Sequence, residues 1–474
     1  MTVLFNQVPS DIRVPLTYFE FNAGGATFDA ESKAVLIGQK LSGGTATAGA
    51  LTIVAEGAED GLFGVNSMAA LMVKTFKKNA PSKTPYVIAL DDPTGGAKAT
   101  ATITITTVTA AANETLFFSI HGVTISVPVI SGETNAAIAT KIAAAVNAKA
   151  GILFTAAAAT NVVTLTARHD GTVMNGLKVK YTSGNMVIAT TNAASGAGAI
   201  DMDGVLDVIP EGQYYDWIGT GYADSTSLGH YETYTNDTSG TWNPLDGSYG
   251  HILSFLEGTL GTLSTTGGGL NDRHLSLTGA PSTVTPAFFV AAALVAVTVS
   301  RLTEPPSLSE PLQFTELRGI EFDDEFIVAE RNTLYYDGIG SFRIDRTGAV
   351  LIDRILTTYQ TNAAGSQDTT YLDIQTMAQL MYAARYLKTT IDSIYSSSYL
   401  NDDVVGDVQK DIIHALVELK DLAVIENIEA TLESMTIERD DTDANRLNAY
   451  LPLDHVNQLR VFATNITSFL NIGG

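Results

Sequence analysis

The chain has 474 residues, with 27 Lys and Arg, 51 Asp and Glu, and no Cys. That length suits about two to four domains. A composition of 45% hydrophobic and 16% charged residues permits a sizeable core and excludes wholesale disorder. The lack of Cys excludes disulfides, thiolate metal sites and Cys nucleophiles. The net charge of −24 argues against a general binder of nucleic acid or anionic membrane.

The pattern of apolar residues before residue 95 predicts the start of an α/β domain. The apolar runs 34–37 and 86–90 are predicted strands because they are rich in β-branched and other apolar residues. Between them, Asn66 and Ser67 are predicted to cap a helix. Its apolar residues recur at helical spacing and predict one buried face: Met68, Leu71, Met72 and Phe76.

Residues 95–199 are rich in Ala, Thr and Val and nearly uncharged, unlike both flanks. Alternation predicts strands at 101–108 and 124–130, and apolar spacing predicts a helix at 135–148. Two more strands are predicted at 162–167 and 177–181. The pattern indicates a small β-rich ββαββ module inserted into a surface loop, where an insertion costs little. Binding of carbohydrate or of a cell surface is one role left open for this module.

The host domain resumes at residue 200 and ends at a group of prolines. Strands are predicted at 215–218 and 275–277. The apolar run 287–299 is shorter than the about 20 residues that a bilayer requires, so 287–301 is a predicted buried helix and no membrane insertion is expected. Pro305, Pro306 and Pro311 then break the chain.

The last third predicts an α+β domain. Strands 342–346 and 350–356 are joined by Thr347-Gly348 as a predicted hairpin. Residues 371–395 predict a long amphipathic helix, and a second helix is predicted from residue 407. Two short strands are predicted at 436–439 and 447–451.

Both ends of the chain carry short alternating stretches without a partner strand nearby. The residues on one face are Ile12, Val14, Leu16 and Tyr18 at the start, and Leu459, Val461 and Ala463 at the end. Because a lone strand leaves its N–H and C=O groups unpaired, each must tie back to its own domain or join a neighbouring subunit. The predicted domains are an N-terminal arm (1–22), an α/β domain (23–94 and 200–312), the inserted module (95–199), a C-terminal domain (313–455) and a C-terminal arm (456–474).

Asp201 and Asp203 are the sharpest candidates for catalysis. Their segment, DMDGVL, resembles motif I of haloacid-dehalogenase-type phosphatases, in which the first Asp accepts the phosphoryl group and the second acts as acid and base. Such a nucleophile must follow a hydrophobic strand, whereas residues 192–199 are a Gly- and Ala-rich loop. A simple turn is favoured, and a phosphatase-like enzyme using Asp201 and Asp203 is kept as the alternative function.

Other candidate chemistry fails on order or spacing. Ser67 lies in a segment that resembles the subtilisin nucleophile, but the first His of the chain, His121, comes after it. The acidic clusters at 321–325 and 440–443 lack the spacing of a calcium loop. The seven His show no zinc-site spacing, and no phosphate-binding P-loop is present. The sequence therefore predicts a protein that is not an enzyme and needs no cofactor or metal.

Several blocks, in order along the chain, resemble the Mu-like contractile phage tail sheath proteins. They are residues 5–15 (FNQVPSDIRVP), 63–68 (FGVNSM), 329–339 (AERNTLYYDGI), 357–365 (TTYQTNAAG), 371–373 (YLD) and 451–461 (LPLDHVNQLRV). The resemblance covers most of the chain outside about residues 95–200. It implies a multidomain α+β and α/β fold: a subtilisin-like α/β sheath domain carrying the module, and a C-terminal α+β sheath domain with extended arms.

The resemblance also implies a function. The expected role is a structural subunit of the virion that is assembled in the host cytoplasm, polymerises in six-fold helical rings around the tail tube, and contracts to drive the tube through the host envelope. Expected partners are further copies of the chain, the tube protein, and baseplate and tail terminator proteins, without direct contact to nucleic acid. The acidic last third, residues 311–474 with 12 basic and 26 acidic groups, is expected to face the tube.

In this family the arms thread into the sheet of adjacent subunits. The two sets of alternating residues at the chain ends are therefore the expected strand donors. The expected acceptor is the hairpin in the last third, at Phe342, Ile344, Val350 and Ile352.

Overall fold

The computed structural model describes residues 32–210, 213, 215–236, 238–242, 249–302 and 312–468. The predicted N-terminal arm (1–22) and the prolines at 305, 306 and 311 lie outside these ranges.

The described residues form ten α-helices and 21 strands, with two short 3₁₀ helices at Thr172–Met174 and Leu206–Val208. In chain order the strands are β1 (Ala34–Gln39), β2 (Leu51–Ile53), β3 (Tyr86–Leu90), β4 (Lys98–Ile105), β5 (Glu114–Ile120), β6 (Val123–Val129), β7 (Phe154–Ala159), β8 (Val162–Asp170), β9 (Val179–Ser183), β10 (Ile188–Thr190), β11 (Trp217–Thr220), β12 (His251–Glu257), β13 (Leu275–Ala280), β14 (Ser282–Thr283), β15 (Phe322–Asp324), β16 (Ile339–Ile344), β17 (Val350–Arg354), β18 (Ile425–Glu426), β19 (Thr436–Arg439), β20 (Leu447–Tyr450) and β21 (Asp454–His455). The helices are α1 (Glu59–Phe63), α2 (Met68–Asn79), α3 (Asn135–Ala148), α4 (Ser225–Thr235), α5 (Leu260–Gly268), α6 (Ala287–Arg301), α7 (Val328–Tyr336), α8 (Ile374–Tyr395), α9 (Asp402–Asp421) and α10 (Ile428–Ser434).

Eight strands form the central sheet, in the order β2-β3-β1-β11-β12-β13-β16-β17. The six inner strands are parallel, and β2 and β17 pair antiparallel at the two edges. Helix α6 packs on β1, β11, β12 and α2, and its apolar surface is buried all round, as expected of a core helix. In the described ranges, no helix is both long and apolar enough to cross a membrane.

Close approach of β11 to α6 depends on a glycine. A Cβ on Gly219 would lie 2.7 Å from Val295 Cγ2, closer than carbon atoms can pack. The backbone of β11 therefore packs directly against the Val295 side chain of α6. This close contact explains why a Gly occupies the interior of a buried strand.

Several predicted elements of the host domain need correction at their ends. Ser67 caps α2, because its Oγ accepts the Ala70 N–H at 3.1 Å, whereas Asn66 binds elsewhere and has a φ of 60°. The predicted strand at 215–218 begins later, at Trp217. The predicted buried face of α2 is confirmed, since all four of its apolar residues are buried.

The inserted module is larger than the predicted ββαββ unit. It contains seven strands in two sheets, β10-β4-β8-β7 and β6-β5-β9, together with α3. The prediction missed β5, β7 and β10. Strand β7 is mostly Ala, a poor β former, and pairs with β8 along its whole length, so its conformation comes from tertiary pairing.

The part of the chain from α8 onwards has a small core of its own, whereas β16 and β17, which were predicted to belong to the C-terminal domain, lie in the central sheet. Helices α8 and α9 pack together around Ala383, Ile412, Leu416 and Leu419. The first turns of α8 contribute instead to the large core under the central sheet, so α8 joins the two cores. Helix α8 begins at Ile374, later than predicted, and α9 begins at Asp402, earlier than predicted, because Asn401 caps it.

Candidate assembly interface

The C-terminal arm is largely exposed. No helix or strand is found from residue 456 to residue 468. Leu459 and Val461 are 79% and 78% exposed, and Ala463 is also exposed. All three predicted donors are therefore accessible, but they do not lie in a strand, because no strand among the described residues forms hydrogen bonds with them.

A cluster of charged residues holds the base of this arm. Asp373, directly before α8, accepts hydrogen bonds from Arg354 Nε at 3.1 Å and Arg354 Nη2 at 2.9 Å. It also forms an ion pair with Arg460 Nη2 at 2.8 Å, and the same nitrogen donates to Gln375 Oε1 at 3.0 Å. Burial lowers the pKa of Arg460, and the nearby Asp373 opposes that shift. The alternation that places Leu459 and Val461 on one face leaves Arg460 on the other, but nothing in the sequence indicates that Arg460 contacts Asp373.

The predicted acceptor hairpin forms as strands β16 and β17, but residues 314–317 already occupy the outer edge of β17. Phe342, Val350 and Ile352 are buried, and Ile344 is half-buried. Ile352 N donates to Thr315 O at 3.0 Å, and Ile352 O accepts from Phe314 N at 2.6 Å. Val350 O likewise accepts from Leu317 N. Acceptance of a foreign strand at β17 stays a prediction, and it requires residues 314–317 to leave that edge.

A different pair of strands has open edges. Strands β19 and β20, which we call the ribbon, pair only with each other among the described strands. Thr436 and Glu438 are exposed, as are Ala449 and Tyr450. An unpaired strand edge presents N–H and C=O groups that can template a further strand.

The predicted N-terminal donors Ile12, Val14, Leu16 and Tyr18 lie outside the described residues. The first described residue, Ser32, is buried and donates its hydroxyl to the carboxylate of Asp216. Asp216 also receives two hydrogen bonds from Arg385 of α8, one of them at 2.6 Å. This ion pair is almost fully buried, with side-chain exposures of 5% for Arg385 and 1% for Asp216. It joins the central sheet to the C-terminal domain.

The phosphatase candidates lie in an exposed turn. The side chains of Asp201 and Asp203 are 82% and 81% exposed, and Asp201 Oδ1 accepts the Asp203 N–H at 3.0 Å. No strand leads into Asp201, and a ring nitrogen of His230 lies 3.8 Å from each of the two carboxylates. A phosphoryl acceptor needs a rigid support that this turn does not provide.

A pair formed by the buried His169 and the half-buried Asp92 lies beside Ser67, although chain order had not suggested one. His169 Nδ1 is 2.8 Å from Asp92 Oδ1, and His169 Nε2 accepts the Met68 N–H at 3.0 Å. The ring nitrogen that a serine nucleophile would need is therefore occupied by a backbone amide. The pair instead joins the inserted module to the host domain, as does Asn66 Oδ1, which accepts the Gly151 N–H at 2.8 Å. The hydrogen bond from His169 lowers the pKa of Asp92, although its burial acts the other way.

The acidic clusters serve local structure. Asp323 pairs with Lys180 of the module at 2.5 Å, and Glu325 accepts the Ile344 N–H at 2.6 Å. Asp440 accepts hydrogen bonds from Thr442 and Asn448, which hold the pKa of its carboxyl well below the usual range. Within the described ranges, no three His, Asp or Glu residues are placed to hold a metal ion.

Known proteins that resemble this chain are contractile tail sheath proteins. Residues 366–468 match the family of the phage tail sheath C-terminal domain. Over 99% of its length the chain is 29% identical to the whole of the Mu-like prophage FluMu tail sheath protein of Haemophilus influenzae.

Solved structures agree on the fold. The sheath tail protein of Desulfitobacterium hafniense matches 94% of this chain and 97% of its own, with a TM-score of 0.51 and 11% identity. The helical sheath of the anti-feeding prophage in its contracted state matches 97% of this chain and 100% of its own, with a TM-score of 0.52 and 10% identity. The resemblance to Mu-like tail sheath proteins is confirmed by the match of residues 366–468 to the sheath family and by the full-length likeness to the Haemophilus protein, and the solved sheath structures share the fold.

Proposed function

We propose that the chain is the sheath subunit of a contractile phage tail, and that it polymerises in six-fold helical rings around the tail tube. Contraction of this lattice would drive the tube through the host envelope. The observation that carries the proposal is the exposed C-terminal arm, whose apolar residues find no partner in the described subunit. The full-length likeness to a Mu-like tail sheath protein supports it. So does the likeness of the fold to a protein solved as a contracted helical sheath.

In this proposal the arm adds a strand to the sheet of a second copy. About five paired residues, at about 1 kcal/mol net per hydrogen bond, stabilise each link by several kcal/mol. Such a link can persist while subunits rotate past one another, so neighbours stay connected between two packings of the same chain.

Of the two candidate acceptors, β17 and the ribbon, we favour the ribbon because its strand edges are open. Strand β17 must first release residues 314–317, which costs their backbone hydrogen bonds, whereas the ribbon carries no third strand among the described elements. A donated arm on the ribbon would also cover Tyr450, which is 63% exposed. The N-terminal donors are proposed to join the same kind of sheet.

The remaining parts of the proposal concern partners and architecture. The acidic last third would face the tube, where exposed ion pairs worth roughly 0–1 kcal/mol each suit a grip that must break on contraction. Baseplate and terminator proteins would bound the lattice, and the assembled sheath would be a virion component. The central parallel sheet with its buried helix is the part that we infer to be subtilisin-like in architecture.

Electron microscopy tests the proposal. The intact chain, a version lacking residues 1–21 and a version lacking residues 461–474 are purified and imaged, each alone and after co-expression with the tube protein of the same phage. Tubes or stacked rings from the intact chain, lost on either truncation, support strand-linked assembly. Uniform monomers from the intact chain in the presence of the tube protein, or tubes unaffected by both truncations, contradict it.

A further inference from the structure

We propose that Asp373 is a positioning residue that fixes the point where the C-terminal arm leaves the subunit, and the direction in which it leaves. The inference rests on the proposed donation of that arm to a second copy. It goes further by assigning the anchor to one carboxylate shared between two arginines.

The carboxylate is oriented before the arm reaches it. Arg354, at the end of β17, binds both oxygens of Asp373 through two nitrogens, and this forked geometry fixes the plane of the carboxylate. One of the two oxygens, Oδ1, also lies 2.8 Å from Arg460 Nη2. Arg460 is thus held by a group that another element has already oriented.

The contacts of the arm stop at this residue. We call residues 454–460 the arm root, and residues 461–468 the free arm. In the root, β21 pairs with β18, Val456 N donates to Val424 O at 3.3 Å, and Gln379 Nε2 donates to Val456 O at 3.1 Å. Beyond Arg460, no hydrogen bond or ion pair joins the free arm to the other described residues, and Val461, Phe462 and Ile466 are 78–83% exposed.

A fixed Arg460 selects the face that the free arm presents. The Arg460 side chain is only 19% exposed, whereas its neighbours Leu459 and Val461 point to solvent. Because side chains alternate along an extended chain, a slip of one residue would reverse the two faces of the arm. The Asp373–Arg460 contact therefore sets which side of the arm meets its recipient.

Arg460 provides its own reporter, since trypsin cleaves after Arg and Lys only when the side chain can leave its partners. We expect Asp373→Asn to raise the rate of cleavage after Arg460 in the full-length chain by about tenfold, through easier local opening. Arg460→Lys keeps a cleavable cation but places a differently shaped head on a shorter side chain, which weakens the contacts to Asp373 and Gln375, and a rise of about threefold is expected. The matched control is Arg446→Lys, at a side chain that is 66% exposed, which should leave cleavage after residue 460 unchanged.

Release of the 461–474 fragment, followed by mass spectrometry, separates the outcomes. Unchanged cleavage after residue 460 in both Asp373→Asn and Arg460→Lys overturns the anchor. If Asp373→Asn unfolds the chain, as reported by the fluorescence of its two Trp, Arg460→Lys alone decides. Failure of the proposed function is a different result: tubes that persist after removal of residues 461–474 refute donation whatever the cleavage rates, whereas loss of those tubes with unchanged cleavage refutes only the anchor.

Discussion

Two groups of ion-paired residues lie along helix α8, one in its middle and one directly before its start. They differ in burial, and therefore in what happens when each is broken. The Asp216–Arg385 pair is almost fully buried and joins the sheet to the C-terminal domain. The Asp373 cluster is a fifth to a quarter exposed and holds the arm root. Breaking a buried pair leaves an unpaired charge without water, whereas a charge at a partly exposed pair can be rehydrated. The first junction thus belongs to the stability of the subunit, and the second can open while the subunit stays folded.

The largest expected effect comes from the buried pair. Replacing Arg385 by Leu leaves Asp216 buried with only Ser32 as a partner among the contacts described above, and we expect a loss of about 3–5 kcal/mol in the free energy of unfolding. Denaturant titration followed by fluorescence measures it, because both Trp of the chain lie in the central sheet domain and Trp217 adjoins Asp216. Lys388→Leu on the same helix, at a side chain 58% exposed, is the control and should change stability by about 0.5 kcal/mol or less. A loss below about 1 kcal/mol for Arg385→Leu would show that the junction is not held by this pair.

The second largest expected effect is a fall in the free energy of unfolding of the subunit at acidic pH. Burial lowers the pKa of His121 to about 4, below the about 6.5 of an unfolded His, and burial lowers that of His251 as well. Between these values the unfolded chain binds more protons than the folded one, so stability is full above about pH 6.5 and falls as the pH drops toward 4. His121 alone should account for roughly 3 kcal/mol of that loss.

Denaturant titrations at several pH values between 7.5 and 4.5 test this, with His121→Gln as the matched variant. The variant should show a shallower dependence on pH than the parent chain. Parallel curves for the two would mean that His121 does not titrate across this range.

The smallest expected effect is that of weakening the partly exposed Asp373 cluster, in contrast to the buried Asp216–Arg385 pair. Arg354→Gln removes one arginine from Asp373 but leaves Arg460 in place, and we expect a loss of about 1 kcal/mol or less in unfolding free energy. The loss should shrink at high salt, because partly exposed charges are screened. A loss as large as that of Arg385→Leu, measured in the same titration, would erase the distinction between the two junctions.

Local patterns predicted much of the fold, and the failures have physical causes. Helix α6 follows from a continuous apolar run, the buried face of α2 follows from apolar spacing, and β19 was predicted to the residue. Strand β7 could not be predicted, because its Ala residues become a strand only through pairing with β8. The donor residues of the arm were predicted from alternation and stay a prediction, whereas the contact between Asp373 and Arg460 was not predicted. Asp373, Arg354 and Arg460 are separated by up to about a hundred residues in sequence, and nothing local indicates that they meet.

The most direct test of strand donation is hydrogen exchange of the amides of residues 461–468, compared between isolated subunits and assembled sheath. We expect exchange within seconds in the subunit, where these amides have no described partner, and strong protection in the assembly, where they would pair with a second copy. Exchange that is equally fast in assembled tubes would contradict the account, because the arm would then link no subunits.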